Sequence, residues 1–450
     1  MKWKLVLPAL EEAQNEYYRS IKYSLFPPLG LASLAGYIPE DHDVTIVDEH
    51  VESIALNDEP DVVCIQVYIT NSKRSYELAD HYLTRGKIVI LGGLHVTSLP
   101  DEARQHASAI VIGPGDHIFG KVVQDVINGR LKPQYQAQSR TLNGIPVLRR
   151  GLIKRYRYLI PNSIVVSRGC PYSCDFCYVN NFFINGKSYY TYKISQALSE
   201  IDSLKGKHLF FLDDNLLTEN KFTVDLFMEL KKRNRICQGA GTVKSILNEK
   251  LIHLAAEAGL KSLFVGFESI NKINLKNVNK KHNVYVDYDK AIDILHYYGI
   301  KINGSFVFGM DDDEKDVFER TTDWAIEKGM TTATFHVLTP YPGTPLYNKL
   351  ASENRILTRN WTKYNTRNVV FKPARMSVDE LERGYWNSYT DFYKYSSIWK
   401  SAMIQGSISR KISSLAYSIG WKKIEPLWEF MVKYEKLKYA LPLFVSVLRR

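Results

Sequence analysis

Residues 167–178 read SRGCPYSCDFCY and place three of the chain's five cysteines, Cys170, Cys174 and Cys177, within eight positions. They follow directly on SIVVS (163–167), a short run rich in β-branched residues that predicts a buried strand. In βα barrels, reactive groups lie on the loops at the carboxyl ends of the strands. This stretch therefore predicts a barrel strand whose following loop carries a metal site.

Six apolar runs, each followed by a helical pattern, form the second half of the chain. They are SIVVS (163–167), HLFFL (208–212), ICQGA (236–240), SLFVG (262–266), INGSFVF (302–308) and TATFHV (332–337). A complete (β/α)8 barrel has eight strands. We therefore predict a partial (β/α)6 barrel over residues 161–372.

The first 130 residues alternate five apolar runs with helix-like segments. The runs are WKLVL (3–7), DVTIV (43–47), DVVCIQV (61–67), KIVIL (87–91) and AIVIG (109–113). This alternation predicts an α/β domain with a doubly wound parallel sheet over residues 1–130. Ligands of such sheets bind beyond the carboxyl ends of the strands, where GGLHVTSLP (92–100) and GPGD (113–116) fall. Residues 131–160 are polar and basic and are predicted to be a linker, and residues 373–450 a helical, basic and aromatic extension.

Composition limits the class of protein. Five cysteines in 450 residues are too few for a disulfide scaffold, and we see neither a secretory leader nor an apolar run long enough to span a bilayer. A cytoplasmic protein is expected. The last 57 residues hold 11 Lys and Arg against 3 Glu, which favours nucleic acid or anionic lipid as a partner, or else a solvated helical face.

Three closely spaced thiols allow two kinds of metal site. A structural zinc site needs four ligands, so distant Cys237 or a histidine would have to complete it. A four-iron, four-sulfur cluster held by three cysteines keeps one iron open, as catalysis requires.

The C-x3-C-x2-C spacing, with Phe176 before the last cysteine, resembles the signature of the radical S-adenosylmethionine superfamily. The resemblance implies a 4Fe-4S cluster on Cys170, Cys174 and Cys177, whose open iron is chelated by S-adenosylmethionine. It also implies a deoxyadenosyl radical that abstracts hydrogen from an unactivated carbon, and an external flavodoxin- or ferredoxin-like reductant. The cosubstrate contacts it implies, besides Phe176, are Asp213 and Asp214 for the methionyl ammonium, Glu268 for the ribose, and Asn303 and Ser305.

The amino-terminal half resembles the cobalamin-binding domain of one radical subgroup, which includes hopanoid carbon methylases and the anaerobic magnesium-protoporphyrin ring cyclase. PPLGLASLAGYI (27–38), GGLHVTSLPDEA (92–103) and VLTPYPGTPLY (337–347) carry the likeness. The chain has GPGD where the subgroup often has GEGE, and no histidine in the loop after the first strand. The cobalamin contacts that the resemblance implies are Thr70, Gly92, Gly93, His95, Thr97 and Gly113.

These features give three hypotheses. The first is a cobalamin-dependent radical C-methyltransferase acting on a hydrophobic, lipid- or pigment-like substrate. The second keeps the radical chemistry but forms a ring or a carbon-carbon bond without methyl transfer. The third is a zinc-stabilised nucleic-acid-binding protein, which we disfavour because no nucleic-acid-binding fold is recognisable. The stretch 412–450 interleaves aromatic residues with lysines at helical spacing, which fits either peripheral membrane contact or packing against the barrel.

Overall fold

The first sheet is built from continuous apolar strands, which must be buried on both faces. The computed structural model describes residues 1–13, 24–138, 141–183, 189–422 and 445–448. The strands of this sheet are β1 (Lys2–Leu7), β2 (Asp43–Asp48), β3 (Val62–Gln66), β4 (Ile88–Gly92), β5 (Ala109–Ile112) and β6 (Gln134–Gln136). They pair in parallel in the order β2-β1-β3-β4-β5-β6.

Helices cover both faces of this sheet and form two separate apolar layers. They are α1 (Leu29–Ala35), α2 (Ser72–Thr84), α3 (Leu94–Ser98), α4 (Pro100–Arg104) and α5 (Ile118–Ile127). Leu31 of α1 and Phe119 of α5 pack with Trp3 and Leu5 on one face. Leu78 of α2 and its neighbours pack on the other face. The predicted doubly wound parallel sheet is confirmed.

The sixth strand, β6, lies in the segment that the sequence predicted as a linker. Its residues read QYQ, and of these only Tyr135 is buried. Tyr135 pairs with Val111 of β5 and donates a hydrogen bond to Asp125 Oδ2 (2.9 Å). An edge strand of three residues with one inward side chain has no apolar run, so the pattern did not reveal it.

The second sheet contains the six strands predicted for the barrel. They are β7 (Ser163–Ile164), β10 (His208–Phe211), β11 (Ile236–Gly241), β12 (Leu260–Glu268), β13 (Lys301–Phe308) and β14 (Thr332–Val337). All pair in parallel, in the order β14-β13-β12-β11-β10-β7. A short antiparallel pair, β8 (Ser167–Arg168) with β9 (Tyr190–Thr191), lies beside the loop that carries the three cysteines. This loop, residues 169–178, is called the cysteine loop.

The helices that follow these strands bury one continuous apolar core against the second sheet. Their bounds are α6 (Val179–Phe182), α7 (Ile194–Ser203), α8 (Lys221–Lys231), α9 (Val243–Ile246), α10 (Glu249–Glu257), α11 (Lys272–Asn277), α12 (Tyr288–Tyr297), α13 (Val317–Glu327) and α14 (Pro345–Ser352). The arrangement matches the predicted partial (β/α)6 barrel.

An incomplete barrel leaves an open edge on β14, whose backbone groups need partners. Helix α15 (Val378–Phe392) lies along that edge. The Tyr389 hydroxyl accepts a hydrogen bond from the Phe335 amide and donates one to its carbonyl, both at 3.2 Å. The Tyr393 hydroxyl likewise accepts a hydrogen bond from the Ala333 amide (3.1 Å) and donates one to the Ala333 carbonyl (2.8 Å). The two tyrosine hydroxyls therefore bind backbone groups of β14 that a further strand would pair with in a complete barrel.

The last described helices, α16 (Tyr395–Met403) and α17 (Ile408–Lys422), pack at the amino-terminal ends of the barrel strands. Ser401 and Ser418 donate hydrogen bonds to the carbonyls of Met330 and Thr331, just before β14. Of the stretch 412–450, residues 423–444 and 449–450 lie outside the described residues, so its predicted membrane contact stays a prediction. Among the described residues, no helix is long and apolar enough to cross a membrane.

Candidate active site between the two sheets

A cavity of about 300 Å³ lies between the carboxyl ends of the first sheet and the cysteine-bearing loop. Its wall on the first sheet contains Gly92, Gly93 and Gly113, three of the residues predicted to contact cobalamin. This side of the cavity is called the glycine wall. Its wall on the barrel includes Arg168 and Tyr178, which flank the cysteines in the sequence. The cavity therefore borders predicted cobalamin contacts on one side and the residues that flank the cysteines on the other.

Gly93 shows why glycine is needed at the first wall. Its φ angle is 117°, in the region that side chains rarely adopt, and an added Cβ would lie 2.8 Å from the Val67 carbonyl oxygen. Thr97 stabilises the same wall because its hydroxyl donates to the Gly93 carbonyl (2.9 Å) and accepts from the Gly113 amide (2.9 Å). A side chain at Gly93 would press on the Val67 backbone, so backbone atoms lie next to the cavity here, which fits a broad ligand lying close to the backbone.

Two other residues predicted to contact cobalamin lie away from this cavity. His95 is 1% exposed, and its Nε2 lies 2.8 Å from Glu102 Oε1, while its ring packs edge-on against Trp361. Thr70 borders a separate small pocket beside Arg74. Neither residue lines the cavity, and their contact with cobalamin stays a prediction.

The three cysteines lie on the loop after β8 and all have free thiols. Burial raises the pKa of Cys174 to about 11 and that of Cys177 to about 12, and it raises the pKa of Cys170 as well. Iron ligation deprotonates thiols, so these groups would release protons when they bind metal. Phe176, between two of them, is partly buried and packs against the barrel core.

The donor set suits a cluster better than a single ion. In the described part of the chain, no three His, Cys, Asp or Glu side chains are grouped so as to hold one metal ion. A four-iron cluster makes a different demand, because each cysteine sulfur binds a different iron atom. Cys64 and Cys237 lie buried in β3 and β11, where burial raises the pKa of each thiol.

Asp213, predicted to bind the methionyl ammonium, anchors the strand that leads into the cysteine loop. Its Oδ1 accepts hydrogen bonds from the Val166 amide (3.1 Å) and from the amide and hydroxyl of Ser167. Burial raises the pKa of Asp213 to about 7, against the opposing effect of the Ser167 bonds. Asp214 borders the cavity and accepts from the Gly169 amide (3.0 Å), so it remains the carboxylate placed to meet a cation.

Glu268 and Ser305 contact each other at the barrel sheet, whereas Asn303 contacts Thr334 on β14. Ser305 Oγ donates to Glu268 Oε2 at 3.5 Å, and Asn303 Oδ1 accepts from Thr334 at 3.3 Å. The sequence did not predict the partner of Glu268, which is the buried ammonium of Lys280 at 2.7 Å. Lys280 lies on a loop without an apolar or glycine pattern, so no sequence signal marked it.

The two halves of the site are joined by a second pair that the sequence did not predict. Arg168, two residues before Cys170, has its Nε 3.0 Å from Asp116 Oδ2 in the GPGD loop. The partners are 52 residues apart, and each motif alone gives no sign of the other. Both residues border the cavity, so this ion pair holds the glycine wall against the cysteine loop.

Comparisons with known proteins agree with this arrangement. Residues 164–325 match the Radical SAM superfamily, residues 22–123 the B12 binding domain, and residues 344–433 a domain of unknown function (DUF4070). The chain is 29% identical to the bacteriochlorophyllide d C-12(1)-methyltransferase of Chlorobaculum tepidum over 414 residues, 89% of each chain. It is 30% identical to the C-8(2)-methyltransferase of that organism over 416 residues, 88% of this chain and 91% of the relative.

A solved structure shows the same fold over the whole chain. The radical S-adenosylmethionine methyltransferase TsrM from Kitasatospora setae, with cobalamin and a [4Fe-4S] cluster bound, aligns with a TM-score of 0.65 at 15% identity. The alignment covers 98% of this chain and all of TsrM. The matched domains imply a 4Fe-4S cluster with S-adenosylmethionine in the barrel and cobalamin at the first sheet. The chain belongs to the radical S-adenosylmethionine superfamily, in the subgroup that carries an amino-terminal cobalamin-binding domain.

Proposed function

We propose that this protein is a C-methyltransferase that transfers a methyl group to an unactivated carbon of a hydrophobic small molecule. The observation that carries the proposal is one cavity bordered both by Gly92, Gly93 and Gly113 and by Arg168 and Tyr178, which flank the cysteines in the sequence. A methyl group and a substrate radical must meet within a few ångströms, since reacting atoms need contact distances. A shared cavity meets that requirement.

The cluster, when bound, supplies the electron that cleaves S-adenosylmethionine into a hydrogen-abstracting radical, and cobalamin carries the methyl group. The protein's own residues position these groups and exclude water. Asp213 fixes the strand before the cysteines, Arg168 and Asp116 hold the two walls together, and Leu34 and Phe119 give the cavity apolar sides. A radical is protected from side reactions in such a water-poor space.

The proposed substrate is lipid- or pigment-like. Support comes from the apolar cavity sides and from the named activities of the two Chlorobaculum relatives, which act on a bacteriochlorophyllide. We propose a flavodoxin- or ferredoxin-like protein as the one-electron donor, because the described residues include no second cysteine cluster that could relay electrons.

The test uses anaerobically purified, iron-reconstituted protein with methyl-labelled S-adenosylmethionine, a reductant, and lipid and pigment extracts of the host. We expect label in an apolar product together with 5′-deoxyadenosine. Deoxyadenosine without transferred label would favour ring or carbon-carbon bond formation and contradict the proposal. Cys174→Ala should abolish both products, whereas Cys237→Ala, a matched change in the core strand β11, should retain them.

Peripheral membrane contact and a cytoplasmic location are further parts of the proposal. On α16, Tyr395 and Trp399 are 64% and 59% exposed, beside Lys394 and Lys400. Aromatic residues flanked by lysines favour an anionic bilayer surface. Cosedimentation with vesicles containing phosphatidylglycerol, but not with pure phosphatidylcholine vesicles, is expected. A Trp399→Ser variant that sediments as the parent does would contradict this contact.

A further inference from the structure

We propose that Lys280 is a positioning residue for electron transfer, whose buried ammonium, held by Glu268, sets the reduction potential of the cluster on Cys170, Cys174 and Cys177. The ammonium is not one of the cluster's ligands. It acts through its charge, at a distance fixed by the fold.

Lys280 is buried and held in place. The residue is 6% exposed, and its Nζ lies 2.7 Å from Glu268 Oε1. A lysine is rarely buried this deeply without a function or a close partner. Charges in such surroundings act more strongly on their neighbours than they do in water.

The loop that carries Lys280 is fastened to the cysteine loop by hydrogen bonds. Asn279 Nδ2 donates to the Ser173 carbonyl (2.8 Å), and the Asp175 amide donates to the Val278 carbonyl (3.0 Å). The ammonium therefore keeps its position relative to the sulfurs. Both bonds join residues just before Lys280 to the residues on either side of Cys174.

The backbone around Glu268 is adapted to hold this pair. Glu268 has a φ of 65°, which is unusual for a residue with a side chain, and the pairing of β12 with β13 shifts register between Gly266 and Glu268. A Cβ on Gly266 would lie 2.5 Å from Glu268 Oε1 and 3.1 Å from Lys280 Nζ. Strained backbone of this kind persists where the surrounding structure requires it, often at functional sites.

The consequence for the cluster follows from charge. Reduction adds one negative charge to the cluster, so a nearby cation stabilises the reduced form and a nearby anion destabilises it. Lys280 is the cation of the buried pair and Glu268 is the anion. Removing Lys280 should therefore make the cluster harder to reduce, and removing the Glu268 charge should make it easier.

The experiment is a redox titration of the full-length, iron-reconstituted protein without S-adenosylmethionine, followed by electron paramagnetic resonance. At a fixed solution potential, we expect Lys280→Met to lower the ratio of reduced to oxidised cluster about tenfold, which is 59 mV for one electron. Lys281→Met removes the same charge from the next residue, which is exposed, and should leave the ratio unchanged. Glu268→Gln should raise it, and Lys280→Arg should keep the parent value.

Opposite shifts for Lys280→Met and Glu268→Gln are the result that a merely structural role would not produce. Equal midpoint potentials of the cluster in Lys280→Met and Lys281→Met would overturn the proposal. This holds even if Lys280→Met binds S-adenosylmethionine more weakly, because the ammonium would then act by binding the cosubstrate. Iron content is measured in every variant. If Lys280→Met fails to retain iron, the upward shift of Glu268→Gln decides the outcome, and its absence overturns the proposal.

Discussion

Asp213 is expected to control how long the protein keeps its iron, because it anchors the strand that enters the cysteine loop. In Asp213→Ala, the amides of Val166 and Ser167 lose their acceptor, while the Ser167 hydroxyl can find another partner. A buried amide left unsatisfied costs about 1–3 kcal/mol. Two of them lower the free energy of opening this loop by about 3 kcal/mol, which corresponds to roughly a 100-fold change in an equilibrium constant.

The assay is the rate at which reconstituted protein loses iron to an excess of chelator under anaerobic conditions. If iron escapes from the locally opened loop, the rate follows the opening equilibrium. We expect Asp213→Ala to lose iron roughly 100-fold faster than the parent by the same estimate. Asp213→Asn keeps one acceptor oxygen and should lose iron less than about tenfold faster.

Asp313 provides a matched control. It is buried, its pKa is raised by burial to about 7, and it accepts hydrogen bonds from the amides of Gly309 and Met310 after β13. It does not hold the cysteine loop. Asp313→Ala should destabilise the barrel without a comparable effect on iron loss, and equal acceleration in both alanine variants would refute the anchoring role of Asp213.

Three further predictions follow from single contacts. Tyr393→Phe leaves the Ala333 amide, at the open edge of β14, without its hydroxyl partner, so hydrogen exchange at that amide should accelerate about tenfold or more. Unchanged exchange would show that the Tyr393 hydroxyl does not protect this edge. His208 is buried and neutral, with a pKa lowered by burial to about 4. The free energy of unfolding should therefore fall as the pH drops from about 6.5 to 4, by up to roughly 3 kcal/mol in total. His208→Gln should flatten this part of the dependence of thermal stability on pH; an unchanged dependence would show that His208 is not the group responsible. Gly93→Ala should greatly weaken cobalamin binding, measured by equilibrium dialysis. Gly129 also has a positive φ but no atom within 4 Å of an added Cβ, so Gly129→Ala should bind cobalamin as the parent does. Equal affinities of the two variants would show that Gly93 is not part of the cobalamin site.

The fold could be predicted in large part because its strands are continuous apolar runs separated by helical patterns. Those runs became five strands of the first sheet and all six of the barrel. β6 escaped prediction because it has a single inward residue, Tyr135. The cover of the open edge by Tyr389 and Tyr393 was equally hidden, since a tyrosine in a helix gives no sign of which backbone its hydroxyl will reach.

The site was predictable where residue type and spacing alone limit the chemistry. Three thiols within eight positions indicate a metal site whatever the fold, and the resemblance of their spacing to the radical S-adenosylmethionine signature implies iron. Residue type alone could not reveal that Asp213 also accepts hydrogen bonds from backbone amides of the strand before the cysteines. The pairs of Arg168 with Asp116 and of Lys280 with Glu268 depend on contacts that only the folded chain creates.

We infer that the bound cluster and the bound cobalamin face each other across the cavity between the two sheets. The most direct measurement is the electron paramagnetic resonance spectrum of protein that holds both groups, with the cobalt in its paramagnetic Co(II) state and the cluster first oxidised, then reduced. We expect reduction of the cluster to split or broaden the cobalt signal through the interaction of two nearby spins. A cobalt signal that stays the same on reduction of the cluster, in protein loaded with both, would contradict it.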